Sequence, residues 1–131
     1  MPRFMLDADT VSHAIRGQGR VGARLLELQP SALCLSSRTL ADLQFGAEAK
    51  RSKKLTRAIG AFIKDLEVVP FDRSAAERFA VVAAALARRG KPIGAFDTLM
   101  AAHALSLGLT VVTNNTRHFG RVPGLTVENW V

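Results

Sequence analysis

Asp7, Asp42 and Asp97 stand in three separate segments: Phe4-Met5-Leu6-Asp7-Ala8-Asp9, Thr39-Leu40-Ala41-Asp42-Leu43 and Gly94-Ala95-Phe96-Asp97-Thr98-Leu99. Each lies where a strand would meet a helix or where a helix would begin. The chain carries a net charge of +7 and has few acids to gather in one place. If the fold brings these three together, their repulsion raises their proton affinity until a cation relieves it. Mg²⁺ or Mn²⁺ suits such a hard, oxygen-only site, with water and a substrate phosphate completing the coordination. Such an ion lowers the pKa of a bound water and stabilises charge on a scissile phosphate. Carboxylates holding a divalent metal on a basic protein point to phosphodiester chemistry on a nucleic acid.

Each acid also has a purely structural reading. Thr39-x-x-Asp42 is a capping-box pattern, in which Asp42 only satisfies a backbone N–H. Asp97 could only complement a helix dipole. Asp7 and Asp9 could cap the first helix; Asp9 could also orient a ligand from behind. Thr113-Asn114-Asn115 ends an apolar strand and is expected to face the same place. There Thr113 could hydrogen-bond a carboxylate, while Asn115 could offer an amide oxygen to a metal-bound water or cap the short helix after it. His103, among alanines, reads as a packed residue and His13 as a helix-surface one. His118 lies near the Asn115 turn, but no second histidine stands at zinc spacing. No phosphate-cradling glycine loop and no serine or cysteine nucleophile motif is present.

The elements that must position these residues follow from periodicity and breakers. Short apolar runs at Arg3 to Leu6, Leu33 to Leu35, Glu67 to Pro70, Leu109 to Thr113 and Thr126 to Glu128 read as strands. Helices are expected after Asp7, over Val21 to Leu28, from the Ser36-Ser37-Thr39 start, and after Ser52. Two more cover Arg73 to Arg89, with Ala76, Phe79, Val82, Ala83 and Leu86 on one stripe, and Ala95 to Leu107, closed by Gly108. Thr116 to Phe119 is expected to form one turn. Short apolar strands separated by helices imply an α/β fold, three layers deep, with a central, mainly parallel sheet covered on both faces. Right-handed crossovers place helix starts at the carboxyl edge of that sheet, where such folds bind ligands.

With 131 residues, 48% hydrophobic and 22% charged, the chain reads as one domain, 1–131, able to bury a core unaided. Its one cysteine, Cys34, sits in an apolar stretch and reads as a small buried hydrophobe. The first segment carries Arg3, Asp7 and Asp9 and does not read as a signal peptide. The longest apolar run, Phe79 to Ala87, is far short of the ~20 residues of a membrane span. A soluble, cytoplasmic protein is expected. The pI of 10.8 favours polyanion partners. Basic residues cluster at Lys50-Arg51-Ser52-Lys53-Lys54, Arg57, Lys64, Arg88-Arg89, Lys91 and Arg117 to Arg121, which could grip phosphates or form a solvated face. With few aromatics and no tyrosine, recognition by shape is expected to outweigh base stacking.

The chain resembles the PIN-domain ribonucleases, and among them the VapC toxins of bacterial toxin–antitoxin pairs. The matching segments are Phe4-Met5-Leu6-Asp7, Leu35-Ser36-Ser37-Arg38-Thr39-Leu40-Ala41-Asp42-Leu43 with Gly46-Ala47-Glu48, and Pro92-Ile93-Gly94-Ala95-Phe96-Asp97. They continue through Ala101-Ala102-His103-Ala104 and Val111-Val112-Thr113-Asn114-Asn115-Thr116-Arg117 to Val122-Pro123-Gly124-Leu125 and Glu128-Asn129-Trp130. The resemblance implies a PIN fold and a Mg²⁺-dependent endoribonuclease that leaves a 5′-phosphate. It also implies a homodimer and a small VapB antitoxin whose tail occupies the active site. Asp7 and Asp97 match the metal-binding aspartates. Asp42 stands where the family usually has glutamate, Asp9 where it commonly has asparagine, and Asn115 and His118 where a fourth acid is usual. The Thr-Asn-Asn-Thr-Arg segment suggests tRNA, with initiator tRNA foremost, as substrate.

The expected function is therefore a metal-dependent RNase toxin with Asp7, Asp42, Asp97 and Asn115 at the site. The alternative is a catalytically weakened PIN scaffold that binds RNA or protein without turnover, motivated by the departures at Asp42 and Asn115. A receiver-like signalling domain is disfavoured: Val69-Pro70-Phe71-Asp72 is a poor phosphoacceptor site and no lysine follows Val112.

Overall fold

A computed structural model describes residues 2–131. The strands are β1 (Phe4–Leu6), β2 (Leu33–Ser36), β3 (Glu67–Val69), β4 (Thr110–Val112) and β5 (Val127–Glu128). The helices are α1 (Ala8–Arg16), α2 (Val21–Leu26), α3 (Ser37–Ala49), α4 (Lys53–Ile63), α5 (Arg73–Arg88), α6 (Ala95–Leu107) and α7 (Thr116–Phe119), with a 3₁₀ turn at Pro30–Ala32. The strands pair in the order β3-β2-β1-β4-β5, every pair parallel. β1 is central, with Phe4 beside Leu33 on one side and Thr110 on the other. The strand order reverses there, which puts the ligand-binding crevice at the carboxyl ends of β1 and β4.

The strands show why both faces must be covered. Their side chains alternate across the sheet. Phe4, Leu6, Leu33, Leu35 and Val112 point to one face, where they pack with Val11, Val21, Leu43 and Ile59 from α1 to α4. Met5, Cys34 and Val111 point to the other, against Val82, Leu86, Met100 and Ala101 from α5 and α6. Both faces of the central strands are covered, so β1, β2 and β4 read as near-continuous apolar runs, while the edge strands β3 and β5 carry Glu67 and Glu128. Trp130 closes the first core, edge-on to Phe4 with ring centroids 5.1 Å apart. Cys34 is fully buried, and burial, with the nearby Glu67 charge, pushes its thiol up to about 12. It is an inert packing residue.

Three local expectations are corrected. The second helix stops at Leu26, short of Leu28, and Pro30 opens a 3₁₀ turn instead of ending a helix. The start of α3 is capped by Ser36, whose hydroxyl accepts from the Arg38 N–H at 3.1 Å. Thr39 is already helical and buried, its hydroxyl 4.0 Å from Met100 Sδ, so Thr39 and Asp42 form no capping box. On α5 the buried stripe begins at Ala75, not Ala76, since Ala75 lies one turn before Phe79 on the face that carries Val82 and Leu86, and the Asp72 side chain caps its N–H.

His103 is packed, as expected. It is buried on α6, with Nδ1 2.8 Å from the Ser36 hydroxyl and its ring edge-on to Phe71. Burial lowers its proton affinity, outweighing the opposing pull of Asp72 and the Pro70 carbonyl. Among the described residues no helix is long and apolar enough to cross a membrane.

Candidate active site

The site is built at the ends of β1 and β4. Asp7 directly follows β1, and its N–H bonds the Val112 carbonyl at 2.9 Å. It is the N-cap of α1, with Oδ1 accepting from the Ala8 N–H at 2.8 Å. Its Oδ2 accepts from the Thr113 hydroxyl, also at 2.8 Å. Thr113 is fully buried, and its hydroxyl oxygen accepts from the Asn115 N–H at 3.0 Å. One hydroxyl thus fixes the carboxylate and the loop after β4 together. Asp9, in the first turn of α1, holds the same loop from outside: its Oδ2 accepts from the Asn114 N–H at 3.2 Å.

Asp97 arrives from the opposite layer. It lies in the first turn of α6, whose N-cap is Gly94 at φ 93°, a conformation that only glycine adopts without strain. Its Oδ2 accepts from Asn115 Nδ2 at 3.1 Å and lies 3.1 Å from His118 Nδ1. Asn115 Nδ2 and His118 Nδ1 are themselves 2.9 Å apart. Asn115 therefore precedes α7 without a side-chain cap and turns its amide toward Asp97. His118 is the group that sequence reasoning undervalued. Its signal was the Asn115-x-x-His118 spacing, which puts both side chains on one side of a single helical turn.

The electrostatics of this arrangement are specific. Burial, reinforced by the Asp9 charge, pushes the Asp7 carboxyl from 3.8 to about 6. The hydrogen bonds from Thr113 and Ala8 oppose that rise, and the Asp97 charge adds to it. Asp7, Asp9 and Asp97 therefore feel one another across two layers of the fold. Asp42 is absent from that set. It is exposed on α3, lining a groove with Ala8, Ser12, Arg16 and Lys50 beside the first turn of α1. So the structure brings Asp7, Asp97 and Asn115 together and leaves Asp42 on the flank of the cleft.

A divalent cation fits the donor set. The carboxylates are hard oxygen donors whose mutual repulsion is unrelieved. Asp97 Oδ1 has no hydrogen-bond partner among the described residues. No three His, Cys, Asp or Glu side chains among those residues close around a common point. Asp7 and Asp97 would leave most of a Mg²⁺ ion's coordination to water and substrate oxygens.

A removal test follows for Thr113. Thr113→Val keeps the shape but leaves the Asn115 N–H without its acceptor and Asp7 Oδ2 without its donor. It is expected to lower unfolding stability by about 1–3 kcal/mol, read from urea unfolding midpoints.

The PIN domain family model matches residues 4–125. The chain is 40% identical to the tRNA(fMet)-specific endonuclease VapC of Salmonella typhimurium, over 131 residues and 99% of each chain. The chain is a PIN-domain protein of the VapC ribonuclease family. Ribonuclease VapC2 of Haemophilus influenzae is 35% identical over the full length of both chains. Among solved structures, the toxin-like fold matches DNA-bound VapBC from Salmonella typhimurium with a TM-score of 0.89 at 40% identity, covering all of both chains. VapBC2 from Rickettsia felis, bound to a promoter DNA fragment, matches with a TM-score of 0.86 at 31% identity over 98% of each. The VapC resemblance and the three-layer α/β fold expected from the sequence both hold.

Proposed function

We propose that this VapC-family ribonuclease is a Mg²⁺-dependent endoribonuclease toxin that cleaves tRNA, with initiator tRNA the first candidate. The observation that carries the reading is the meeting of Asp7 and Asp97 at the sheet's carboxyl edge, with the proton affinity of Asp7 raised by burial and by the neighbouring Asp9 and Asp97 charges. The choice of tRNA is supported by full-length similarity to two relatives named tRNA(fMet)-specific endonucleases. The decisive experiment incubates the purified chain with Mg²⁺, or Mn²⁺, and a panel of tRNA transcripts, followed by sequencing of the RNA ends. Cleavage of initiator tRNA at one position, lost in EDTA, is expected. Cutting of all RNAs alike would remove the tRNA assignment.

In this reading Asp7 and Asp97 hold the cation. When bound, Mg²⁺ supplies an acidified water and charge stabilisation at the phosphate. Thr113 and the Ala8 N–H fix the Asp7 carboxylate so that its oxygens do not rotate away. Asn115 and His118 do the same for Asp97. The groove beside Asp42 carries Lys50 and Arg16, and a neighbouring one carries Arg51, Lys53 and Arg57. These cations line the approach and attract the phosphate backbone, so binding is expected to weaken steeply with salt.

Asp42 acts from the cleft's flank, one methylene short of the glutamate usual in the family. Asp42→Glu is expected to raise the cleavage rate several-fold, and Asp42→Ala to lower it by about tenfold at most, the scale of an outer-sphere partner. Single-turnover rates on the same tRNA check both.

A second reading, a weakened PIN scaffold that binds RNA or protein without cutting, draws on the position of Asp42 and on the neutral Asn115 in the site. The same tRNA assay separates the two, because binding without cleavage in either metal would favour the scaffold. The partner proposed is a VapB-type antitoxin, supported by the VapBC complexes among the structural neighbours. A homodimer completes the proposal, with exposed Phe45 and Val81 as apolar side chains suited to cover. With tRNA as the proposed substrate, the proposed location is the cytoplasm.

A further inference from the structure

Phe96 immediately precedes Asp97 on α6 and leaves 61% of its surface to solvent. The Arg38 guanidinium lies over its ring, 4.4 Å from the centroid. Arg38 stands one turn before Asp42 on α3, yet it forms no ion pair with Asp42 or with any other carboxylate among the described residues. Its Nε is buried and has no hydrogen-bond partner there. Buried N–H groups are nearly always satisfied, and arginine has a strong preference for bidentate oxygen partners. This cation lies over the ring of the residue next to Asp97 and pairs with no carboxylate, although Asp42 stands one helical turn away. The terminal guanidinium nitrogens, which unlike Nε are not buried, also make no hydrogen bond among the described residues and are the donors a ligand can reach.

A ligand that offers an anionic oxygen and a flat π-surface side by side is a nucleotide. Its phosphate suits Arg38, and its base suits the exposed part of Phe96, as in single-strand binding sites that combine cations with stacking platforms. An acidic peptide would answer the arginine but leave the phenylalanine uncovered. We propose that Arg38 and Phe96 form a clamp for the nucleotide next to the scissile phosphate in a single-stranded stretch of RNA. The inference rests on the ribonuclease reading above and adds a recognition element to it. One exposed aromatic is enough for this role, even in a chain whose overall recognition is by shape.

Binding is measured with the full chain in EDTA, so that no strand is cut. The probes are a fluorescein-labelled oligo(A) 12-mer and an abasic ribose-phosphate strand of equal length. Phe96→Leu is expected to weaken binding to oligo(A) about tenfold and to leave the abasic strand unaffected. Arg38→Ala is expected to weaken both and to reduce the slope of log affinity against log salt by about 0.7. Arg38→Lys, which keeps the charge but not the fork, should fall between Arg38→Ala and the parent and carries the test if Arg38→Ala does not fold. Equal losses on both strands for Phe96→Leu, or an unchanged salt slope for Arg38→Ala, would overturn the clamp. So would losses confined to an acidic protein partner. Cleavage of tRNA by the parent chain in Mg²⁺ is scored separately. If the parent cuts and the variants cut and bind like it, the clamp alone fails; if the parent cuts nothing, the ribonuclease reading fails on its own account.

Discussion

Asp97→Asn is expected to reduce RNA cleavage by a factor on the order of 10³ while leaving the fold intact. The substitution removes one unit of charge and almost no volume. The Asp97 side chain is only 28% exposed, but it lies in the first turn of α6, where the structural loss is a helix-dipole contact of about 0.3–1 kcal/mol together with the charge facing His118. The new amide oxygen can still accept from Asn115 Nδ2. What it cannot do is help hold a dication, and metal-based stabilisation of phosphate charge is worth several kcal/mol at the transition state. The measurements are single-turnover cleavage of the preferred tRNA and a urea unfolding curve. A purified variant that cuts within tenfold of the parent, with a mock purification showing no activity, would remove Asp97 from the metal site.

Asp7→Asn is expected to give an inactive protein that is more stable than the parent at neutral pH. The sign follows from the proton affinity. Asp7 titrates at about 6 in the folded chain against an ordinary 3.8, so the folded state binds the proton more tightly than the unfolded state. Its contribution to stability is then fully present below about pH 4 and is lost as the pH rises through 6. At pH 7.5 the ionised carboxylate costs the fold up to about 3 kcal/mol. Asparagine is uncharged, remains a good N-cap, and can meet the Thr113 hydroxyl through its amide. The Tm of Asp7→Asn should exceed that of the parent by roughly 5–10 °C at pH 7.5, and the gap should close below pH 4. Millimolar Mg²⁺ should raise the parent's Tm and leave the variant's unchanged, because only the parent gains by relieving the repulsion. A variant that is less stable than the parent at pH 7.5 would show that the Asp7 charge is already compensated.

Much of this arrangement was legible in the chain. The strands announced themselves because both sheet faces are covered and the central strands are built almost wholly of apolar residues. α6 could be bounded at both ends, since Gly94 and Gly108 adopt conformations other residues avoid. Once the crossovers were right-handed, Asp7 and Asp97 had to reach the same edge. The start of α3 was harder. Ser36, Ser37 and Thr39 offer nearly equal capping chemistry, and the choice fell to Ser36 because Thr39 is needed in the core against Met100. Whether Asp42 joins the other acids depends on how α3 tilts across the sheet, which no local pattern encodes. His118 comes within 3.1 Å of a residue 21 positions earlier, a distance that only the packing of α7 on α6 determines.

The central place of β1 has a consequence for how the molecule comes into being. Phe4 pairs with Thr110, and Asp7 accepts a hydrogen bond from Thr113, 106 residues away. Closing so long a loop costs entropy before any contact returns it, so the docking of β4 is expected to be a late step. Until it does, Asp7 is an ordinary solvated acid at the end of a half-paired strand. The nuclease centre is thus assembled in the closing step of folding, and an incompletely folded chain is a harmless one.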